Sequence, residues 1–474
     1  MMNYNKILNA SIEAFKQKFM SFCQNSEFSK NKLNEATFAN ITSNLMDASR
    51  AAGQAGLKEL LRNEDVQKPK ISYNEDIYRF KGTSEKCILT LFGEINVSRF
   101  VYGNEKKGGT YYIPLDSMLG MYNNDYATLE TREMILFASS NNTPHETALL
   151  LSKASLCCPS RTAIQNIIEN DGCFMEEHNS ELLKETLLHQ EISQEAEVMV
   201  ASMDGANVLL REHGKKKGRK GERPTKTESE SKSSYRNAMV GAVSFYKHNE
   251  KGNAERIKSI YTSRMPQEKA LDFKINFECM VDEFETKAKA QRKSLIKVLL
   301  CDGHRSIWNY AKNSTLFQNY KMLIDFFHTT EHLSKAAEVM YGKSTILSKR
   351  WYNKWRDALK KDTNAAYNIL RSMKGFLHRS NLANTRIKAL KAEITFFKNN
   401  KHMMQYAEFI NRGLPIGSGP IEAAAKTIVK QRMCRSGMRW SRNKGQHVLT
   451  LRAFVRSGAW EQMWNVYKKI RKAA

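Results

Sequence analysis

The chain has 474 residues, and its 75 Lys and Arg against 49 Asp and Glu give a formal net charge of +26 at pH 7. An excess this large favours a polyanionic partner, with nucleic acid preferred over acidic polysaccharide or a membrane surface. Its apolar runs are too short to span a bilayer, and its eight cysteines include no Cys-x-x-Cys pair, which argues against a zinc ribbon or a disulfide framework.

The N-terminal region is predicted to be helical over residues 1–69, because its apolar residues recur at helical spacing. It lacks the apolar core of an export signal, and together with the scattered thiols this predicts a cytoplasmic protein. Residues 70–119 predict a small β unit, with a hairpin that turns at Gly93 and Glu94 and a third strand over residues 110–113.

A second helical region is predicted over residues 120–195. Thr143 precedes a proline at a first helical position, and after a short connector another helix opens at Ser160 and Arg161. Two helices joined by a tight connector are typical of a helix-turn-helix, whose second helix presents its first residues to DNA, although any helical hairpin produces the same pattern. Ser160 and Arg161 are therefore candidate DNA contacts.

Residues 196–330 alternate between strand and helix patterns. The predicted order is three strands, a helix, a strand, a helix and a fifth strand, over residues 198–203, 237–246, 256–261, 266–292, 294–301, 305–310 and 322–327. This is the order of an RNase H-like core, in which the first and fourth strands lie side by side. Such a pairing brings Asp204 and Asp302 together, since each follows one of those two strands.

A basic, Gly- and Ser-rich stretch follows the first of these strands. Its composition does not support a packed core, so a loop is predicted. The loop is either plain solvated surface or, because it lies beside the candidate carboxylates, a phosphate-binding element. Its candidate DNA contacts are Lys215, Lys216, Lys217, Arg219 and Lys220.

The rest of the chain is predicted to be mostly helical. Residues 331–411 form an all-helical insertion. Residues 412–474 complete the core with a helix in which Pro420 occupies the first turn and Glu422 lies near the positive end of the helix dipole. Candidate phosphate contacts on or just beyond this helix are Lys426, Lys430, Arg432, Arg435 and Arg439.

Three acidic residues stand in contexts that expose a carboxylate. Asp204 and Asp302 each end an apolar run and precede a glycine, and Glu422 lies just inside the late helix. Two divalent ions about 3.5–4 Å apart need several rigidly held oxygen donors to act on a phosphodiester, and hard ions such as Mg²⁺ prefer carboxylates and water. These residues predict a Mg²⁺-dependent phosphodiester enzyme, in which Mn²⁺ is expected to substitute.

Longer motifs surround these acids. They are MDGANVLLRE at 203–212, NAMVG at 237–241, CDGH at 301–304, DFFHTTEH at 325–332, GLPIGSGPIE at 413–422 and KQRMCRSGMRW at 430–440. Together they resemble the ISKra family of bacterial insertion-sequence transposases, and the similarity takes in nearly the whole chain.

The resemblance implies an Asp-Asp-Glu (DDE) transposase with an α+β, multidomain fold: an RNase H-like catalytic core interrupted by the helical insertion, with N-terminal helical and small β modules. It assigns Asp204, Asp302 and Glu422 as metal ligands, and it implies that His328, at the end of the fifth strand in an Asp325-x-x-His328 pair, lies near the scissile phosphate. Relatives carry cysteine pairs in the β unit that this chain lacks, so no zinc site is expected there.

The implied partner is double-stranded DNA, as element terminal repeats and as target, with no membrane. The active complex is expected to be a homo-oligomer, at least a dimer, in a bacterial cytoplasm and associated with the nucleoid when bound to DNA. Two other readings stay open: a non-catalytic DNA-binding protein derived from a transposase, against which the intact triad argues, and a structure-selective nuclease without strand transfer. A paired-carboxylate glycosidase shares the acids but not the charge.

Overall fold

A computed structural model describes residues 4–25, 34–104, 110–122, 124–154, 157–211, 235–379 and 382–473. The fold is α+β and contains two β-sheets. The chain divides into two compact units, Met1–Phe174 with Tyr467–Ala474 and Met175–Val466. Among the helices in the described ranges, none combines the length and the apolar composition needed to cross a membrane.

The first unit begins with two long helices, as the apolar spacing predicts. Helix α1 spans Tyr4–Asn25 and α2 spans Glu35–Glu64. Asn34 caps α2, because its side-chain oxygen accepts a hydrogen bond from the Thr37 amide at 2.9 Å. This bond satisfies one of the amide donors that every helix start leaves open.

An antiparallel four-stranded sheet follows, in the order β1-β2-β3-β4. Its strands are β1 Lys70–Tyr73, β2 Asp76–Thr90, β3 Gly93–Asn104 and β4 Tyr111–Tyr112. The hairpin and the last strand agree with the sequence prediction, whereas β1 was not predicted. The predicted turn at Gly93 and Glu94 is wrong, because Thr90 pairs directly with Gly93 and the turn therefore precedes Gly93.

Four helices come next: α3 Pro114–Met118, α4 Leu129–Asn141, α5 Pro144–Lys153 and α6 Arg161–Glu177. Helix α5 starts with a capping box, in which the side chains of Thr143 and Glu146 each accept a hydrogen bond from the other's backbone amide. The predicted start of this helix is confirmed. The use of α5 and α6 as a DNA-binding helix-turn-helix stays a prediction.

A buried ion network lies in the core of the first unit. Arg132 donates hydrogen bonds of 2.7 to 3.1 Å to Asp171 and also pairs with Asp125. From the C-terminal segment, Arg471 pairs with Asp125, and the Tyr467 hydroxyl donates to Asp171. Each buried carboxylate therefore has several donors, which offset the loss of its hydration.

The second unit contains a five-stranded sheet in the order β7-β6-β5-β8-β9. Its strands are β5 Val198–Leu209, β6 Tyr235–His248, β7 Ala254–Arg264, β8 Ile296–Cys301 and β9 Lys321–Ile324. The first three are antiparallel, whereas β8 pairs parallel with β5 and β9 pairs parallel with β8. The predicted pairing of the first and fourth strands of this region is confirmed.

Strand β5 is longer than predicted. The sequence pattern ends before Asp204, but the strand continues to Leu209 because it stays paired with β6, with Asp204 opposite Val240. Its parallel pairing with β8 ends earlier, at Ala201 opposite Leu299. Asp204 therefore lies on the part of β5 that extends past its pairing with β8.

Strand β9 is shorter than predicted, because the following residues start a helix. Asp325 accepts a hydrogen bond from the His328 amide at 2.6 Å and so caps α10, Phe326–Tyr341. The apolar pair Phe326 and Phe327 favours a strand when the sequence is considered alone. Asp is among the residues preferred as helix caps, and the cap determines the structure here.

Helices cover both faces of this sheet. They are α7 Asn179–Leu188, α8 Leu271–Ala290 and α9 Arg305–Asn313 on one face, and α10, α11 Ile346–Lys361, α12 Ala365–Arg379, α13 Asn384–Asn400 and α14 Tyr406–Asn411 on the other. Successive side chains of a strand point to opposite faces, so Met199 and Ala201 pack with the first group while Val198 and Val200 pack with the second.

The C-terminal segment is helical and contains a local irregularity. Helix α15, Gly419–Ala424, runs into a π-helical segment, Ala425–Lys430, which is followed by α16 Gln431–Met433, α17 Arg442–Arg456 and α18 Trp460–Ala473. Arg452 donates from Nε to the Ile428 carbonyl at 2.6 Å and also bonds the Thr427 carbonyl. This buried guanidinium therefore satisfies carbonyl groups within the π-helical segment.

Candidate active site

Three carboxylates from three separate elements line one cavity of about 230 Å³ in the second unit. Asp204 comes from β5, Asp302 from the loop after β8, and Glu422 from the first turn of α15. His328 lines the same cavity. The structure therefore brings together all four residues that the sequence analysis predicts to be catalytic.

Asp204 is half-buried, and its Oδ1 accepts a hydrogen bond from the Gly205 amide at 2.7 Å. Burial is the main cause that raises the pKa of Asp204, and the charges of Asp302 and Glu422 raise this pKa further. The Gly205 bond and the charge of Lys430 act in the opposite direction. Asp204 thus lies near enough to both other carboxylates to be repelled by them, and a bound cation would offset that repulsion.

Asp302 lies in the short loop between β8 and α9, and its backbone is fixed there. Its Oδ1 accepts a hydrogen bond from the His304 amide at 3.0 Å, and its carbonyl accepts one from Trp308 Nε1 at 2.7 Å. Trp308 is buried in the core that packs under this face of the sheet. The indole therefore anchors the loop and holds the Asp302 carboxylate at the cavity.

Glu422 is exposed, and its Oε1 accepts a hydrogen bond from the Ser418 hydroxyl at 2.9 Å. The Ser418 amide in turn donates to Oδ2 of Asp325 at 2.5 Å. The sequence singles out Asp325 only through its spacing to His328. Its bond to a residue 93 positions away has no signal in the sequence, and neither has the role of Ser418.

His328 lies in the first turn of α10 and is half-buried. Its ring meets the His332 ring edge-on, with 5.0 Å between centroids. His332 stacks on Phe396 with 3.6 Å between centroids, and its Nδ1 is 2.7 Å from Glu393 Oε2. His328 lines the same cavity as the carboxylates, but α10 carries it and not the fifth strand; its place near a scissile phosphate stays a prediction.

Gly303 makes room for this aromatic group beside Asp302. A Cβ added at Gly303 would lie 2.6 Å from the Phe396 ring and 3.1 Å from the His328 ring. Contacts that short require the rings to move. The glycine that follows the second aspartate is thus explained by the close approach of two rings, not by a special backbone angle.

Asp325 and Glu331 also line the cavity, and no pattern in the sequence singles out Glu331. It is exposed on α10, three residues after His328, and lines the same space. Residues three apart on a helix lie on one face. Its place beside His328 can therefore be inferred only if the segment after Asp325 is interpreted as a helix and not as the end of a strand.

The donor chemistry fits a hard divalent cation, because carboxylate oxygens are the ligands that Mg²⁺ and Mn²⁺ take. Across the described part of the chain, no group of three or more His, Cys, Asp or Glu side chains is arranged so that it could hold a metal ion. Asp204 and Asp302 each direct one oxygen to a backbone amide. Metal binding would therefore require Asp204 and Asp302 to turn from these amides toward Glu422.

The predicted phosphate contacts of the C-terminal segment differ in exposure. The exposed or half-exposed cations among them are Lys426, Lys430, Arg435 and Arg439. Arg432 is only 3% exposed, and its guanidinium carbon lies 5.0 Å from the centroid of the Trp440 ring. Arg432 is thus much less accessible than the other four cations, and its contact with DNA stays a prediction.

The other predicted DNA contacts lie in the N-terminal region and in the basic loop. The Ser160 hydroxyl accepts a hydrogen bond from the Ala163 amide at 3.1 Å and so caps α6, which Arg161 begins as an exposed residue. The loop contacts fall outside the described residues; they are Lys215, Lys216, Lys217, Arg219 and Lys220.

No protein-family model matches this sequence, and no curated protein matches it. Among solved structures, the Drosophila P element transposase strand transfer complex is similar over 70% of this chain and 80% of that chain, with 9% sequence identity and a TM-score of 0.24. A similarity this weak carries no argument about function. The resemblance to the ISKra family stays a prediction from the motifs.

Proposed function

We propose that the protein is a DDE transposase that cleaves DNA at insertion-sequence ends and joins the freed 3′-hydroxyl to target DNA. The observation that carries the proposal is the convergence of Asp204, Asp302 and Glu422 on one cavity from elements far apart in the sequence. The resemblance to the ISKra family assigns these three residues as metal ligands, and all three are among the acidic residues that line the cavity.

An RNase H-like core is part of the proposal. The sheet order β7-β6-β5-β8-β9, with three antiparallel strands followed by two parallel ones, supports it. The helices α10 to α14 lie between the second aspartate and the glutamate, as expected for a core with an all-helical insertion. We propose that this insertion separates the two parts of the catalytic domain in sequence but not in space.

The two steps of the reaction need no protein nucleophile. In cleavage a water attacks the phosphate at the element end, and the 3′-oxygen of the element leaves as the freed hydroxyl. In joining, that 3′-hydroxyl attacks a target phosphate, and the 3′-oxygen of the target strand leaves. Two Mg²⁺ ions held by Asp204, Asp302 and Glu422 would activate the attacking oxygen and stabilise the leaving oxygen. His328, which lines the same cavity, would donate a hydrogen bond to a phosphate oxygen on which charge develops.

Double-stranded DNA is the proposed partner. The net charge of +26 supports binding to phosphates, because each Lys or Arg contact releases condensed counterions. Lys426 and Lys430 are exposed on the helical segment that carries Glu422, close to where a scissile phosphate would lie. We propose a homo-oligomer, at least a dimer, as the active complex, since an element has two ends to be joined.

The test uses the purified protein and labelled DNA that carries the element's terminal repeats. We expect cleavage and joining with Mg²⁺ or Mn²⁺, and loss of both on chelation. Asp204→Asn, Asp302→Asn and Glu422→Gln should each abolish both steps and leave DNA binding intact, because the charge of the carboxylate and not its shape holds the ions. Asp357→Asn, an exposed aspartate on α11, is the matched control.

Each outcome has a distinct meaning. Full activity in any one of the three variants would overturn the triad. DNA binding by the wild type without cleavage would favour the non-catalytic, transposase-derived protein, and cleavage without joining would favour a nuclease on the same fold.

A further inference from the structure

The two ends of the helical insertion are joined beside Glu422. Asp325 caps the first helix of the insertion, and Ser418 immediately precedes α15. The Phe326 amide donates to the Ile416 carbonyl at 3.0 Å, and the Ser418 amide donates to Oδ2 of Asp325 at 2.5 Å. Two hydrogen bonds, one between main-chain groups and one accepted by a carboxylate, thus hold the segment that returns to the cavity.

Asp325 makes this connection as a buried acceptor. It is 1% exposed, and its two oxygens accept hydrogen bonds from two backbone amides, His328 at Oδ1 and Ser418 at Oδ2. Only a carboxylate offers an acceptor oxygen on both sides, because an Asn side chain has one acceptor oxygen and an NH₂ donor. The chemistry of Asp325 therefore matches a link between two amides better than a simple helix cap, for which Ser or Asn suffices.

Ser418 extends the connection to the carboxylate of Glu422. It is 4% exposed, and its hydroxyl donates to Glu422 Oε1 at 2.9 Å. The hydrogen of a serine hydroxyl rotates to suit its acceptor, whereas the position of the oxygen is set by χ1 and by the backbone, whose amide Asp325 holds. The bond uses one of the two oxygens of Glu422 and restrains a long, exposed side chain.

We infer that Asp325 and Ser418 are positioning residues for Glu422: the buried carboxylate fixes the Ser418 amide, and the Ser418 hydroxyl fixes the rotamer of Glu422 for cation binding. The inference rests on the proposed function, because it takes Glu422 as a metal ligand. Partners that orient ligating side chains typically change metal affinity by about 10- to 100-fold when they are removed.

The experiment measures Mn²⁺ affinity of the full-length protein without DNA, by titration calorimetry. Ser418→Ala removes the hydroxyl and keeps the amide that bonds Asp325, and Asp325→Asn keeps the size of the side chain but leaves one acceptor oxygen for two amides. We expect each to weaken Mn²⁺ binding by about tenfold or more. Ser418→Thr, which restores a hydroxyl, should recover much of the loss.

The matched control is Thr345→Ala. Thr345 caps α11 within the same insertion by accepting a hydrogen bond from the Ser348 amide at 3.1 Å, so its loss removes a helix cap without touching the cavity. It should leave Mn²⁺ affinity unchanged. Unfolding temperatures of all variants separate a loss of folding from a loss of affinity, and Ser418→Ala keeps the test decisive if Asp325→Asn does not fold.

Two results would overturn the inference, and they are distinguishable. Wild-type affinity in Ser418→Ala, with binding weakened in Glu422→Gln, would remove the positioning role and leave the proposed function standing. Absence of Mn²⁺ binding by the wild type, or no effect of Glu422→Gln, would overturn the inference together with the metal site on which the proposed function depends.

Discussion

Neutralising Asp204 should stabilise the protein when no metal is present. Burial and the charges of Asp302 and Glu422 raise the pKa of Asp204, so its ionised form lowers the free energy of unfolding. This loss of unfolding free energy is absent below the pKa of an unfolded Asp, about 4. It develops as pH rises through the raised pKa of the folded state and is complete above it.

Burial is the largest cause of the raised pKa of Asp204, and the charges of its neighbours add to the effect. Interactions between partly exposed charges are about 0.2–1 kcal/mol per pair, and Asp204 has two like-charged neighbours and one attractive one, Lys430. Asp204→Asn keeps an oxygen to accept the Gly205 amide. A net gain on the order of 1 kcal/mol is expected, or about 2–4 °C in unfolding temperature for a unit of roughly this size.

In saturating Mg²⁺ the wild type should become more stable than Asp204→Asn, which reverses their order in EDTA. A ligand that binds only the folded state stabilises it by about 2.7 kcal/mol at a hundredfold excess over Kd, and the variant lacks one of the proposed ligands. The assay is calorimetric unfolding in EDTA and in Mg²⁺, at neutral pH and toward pH 4, with Asp357→Asn as the control. Equal unfolding temperatures in EDTA, or an equal Mg²⁺ shift in both proteins, would refute the reasoning.

Two other predictions concern DNA. DNA affinity should fall steeply with salt. Replacing the five basic residues of the predicted loop by Ala should flatten the slope of log affinity against log salt by about 0.9 per lost phosphate contact; they are Lys215, Lys216, Lys217, Arg219 and Lys220. An unchanged slope would mean that these residues do not contact phosphates. His328→Ala should slow cleavage by about a hundredfold with Mn²⁺ affinity nearly intact, whereas a sharply raised Mn²⁺ requirement would make the imidazole a metal ligand.

The approach of Asp204 and Asp302 could be predicted from the sequence, because it depends on strand order. Apolar runs identify the strands locally, and the order of elements then implies which strands pair. The length of β5 could not be predicted in the same way. Asp204 and Gly205 resemble the end of a strand, and only pairing with β6, opposite Val240, shows that the strand continues.

The remaining features that the sequence does not predict also come from contacts between residues far apart or from burial. Phe326 and Phe327 favour a strand by composition, whereas the structure starts a helix there because Asp325 caps it. The same error hides Glu331, which lines the cavity only as part of that helix. Arg432 looks like its exposed basic neighbours in the sequence, and only its packing over Trp440 distinguishes it.

The position of Glu422 relative to Asp302 follows from a short series of contacts, although residues 303–421, which include all of α10 to α14, lie between them in the chain. The Asp325 amide donates to the carbonyl of Cys301, the residue before Asp302, at 2.8 Å. The Asp325 carboxylate accepts from Ser418, and Ser418 donates to Glu422. Because this path passes through the two ends of the insertion, the geometry of the cavity depends on how the insertion begins and ends.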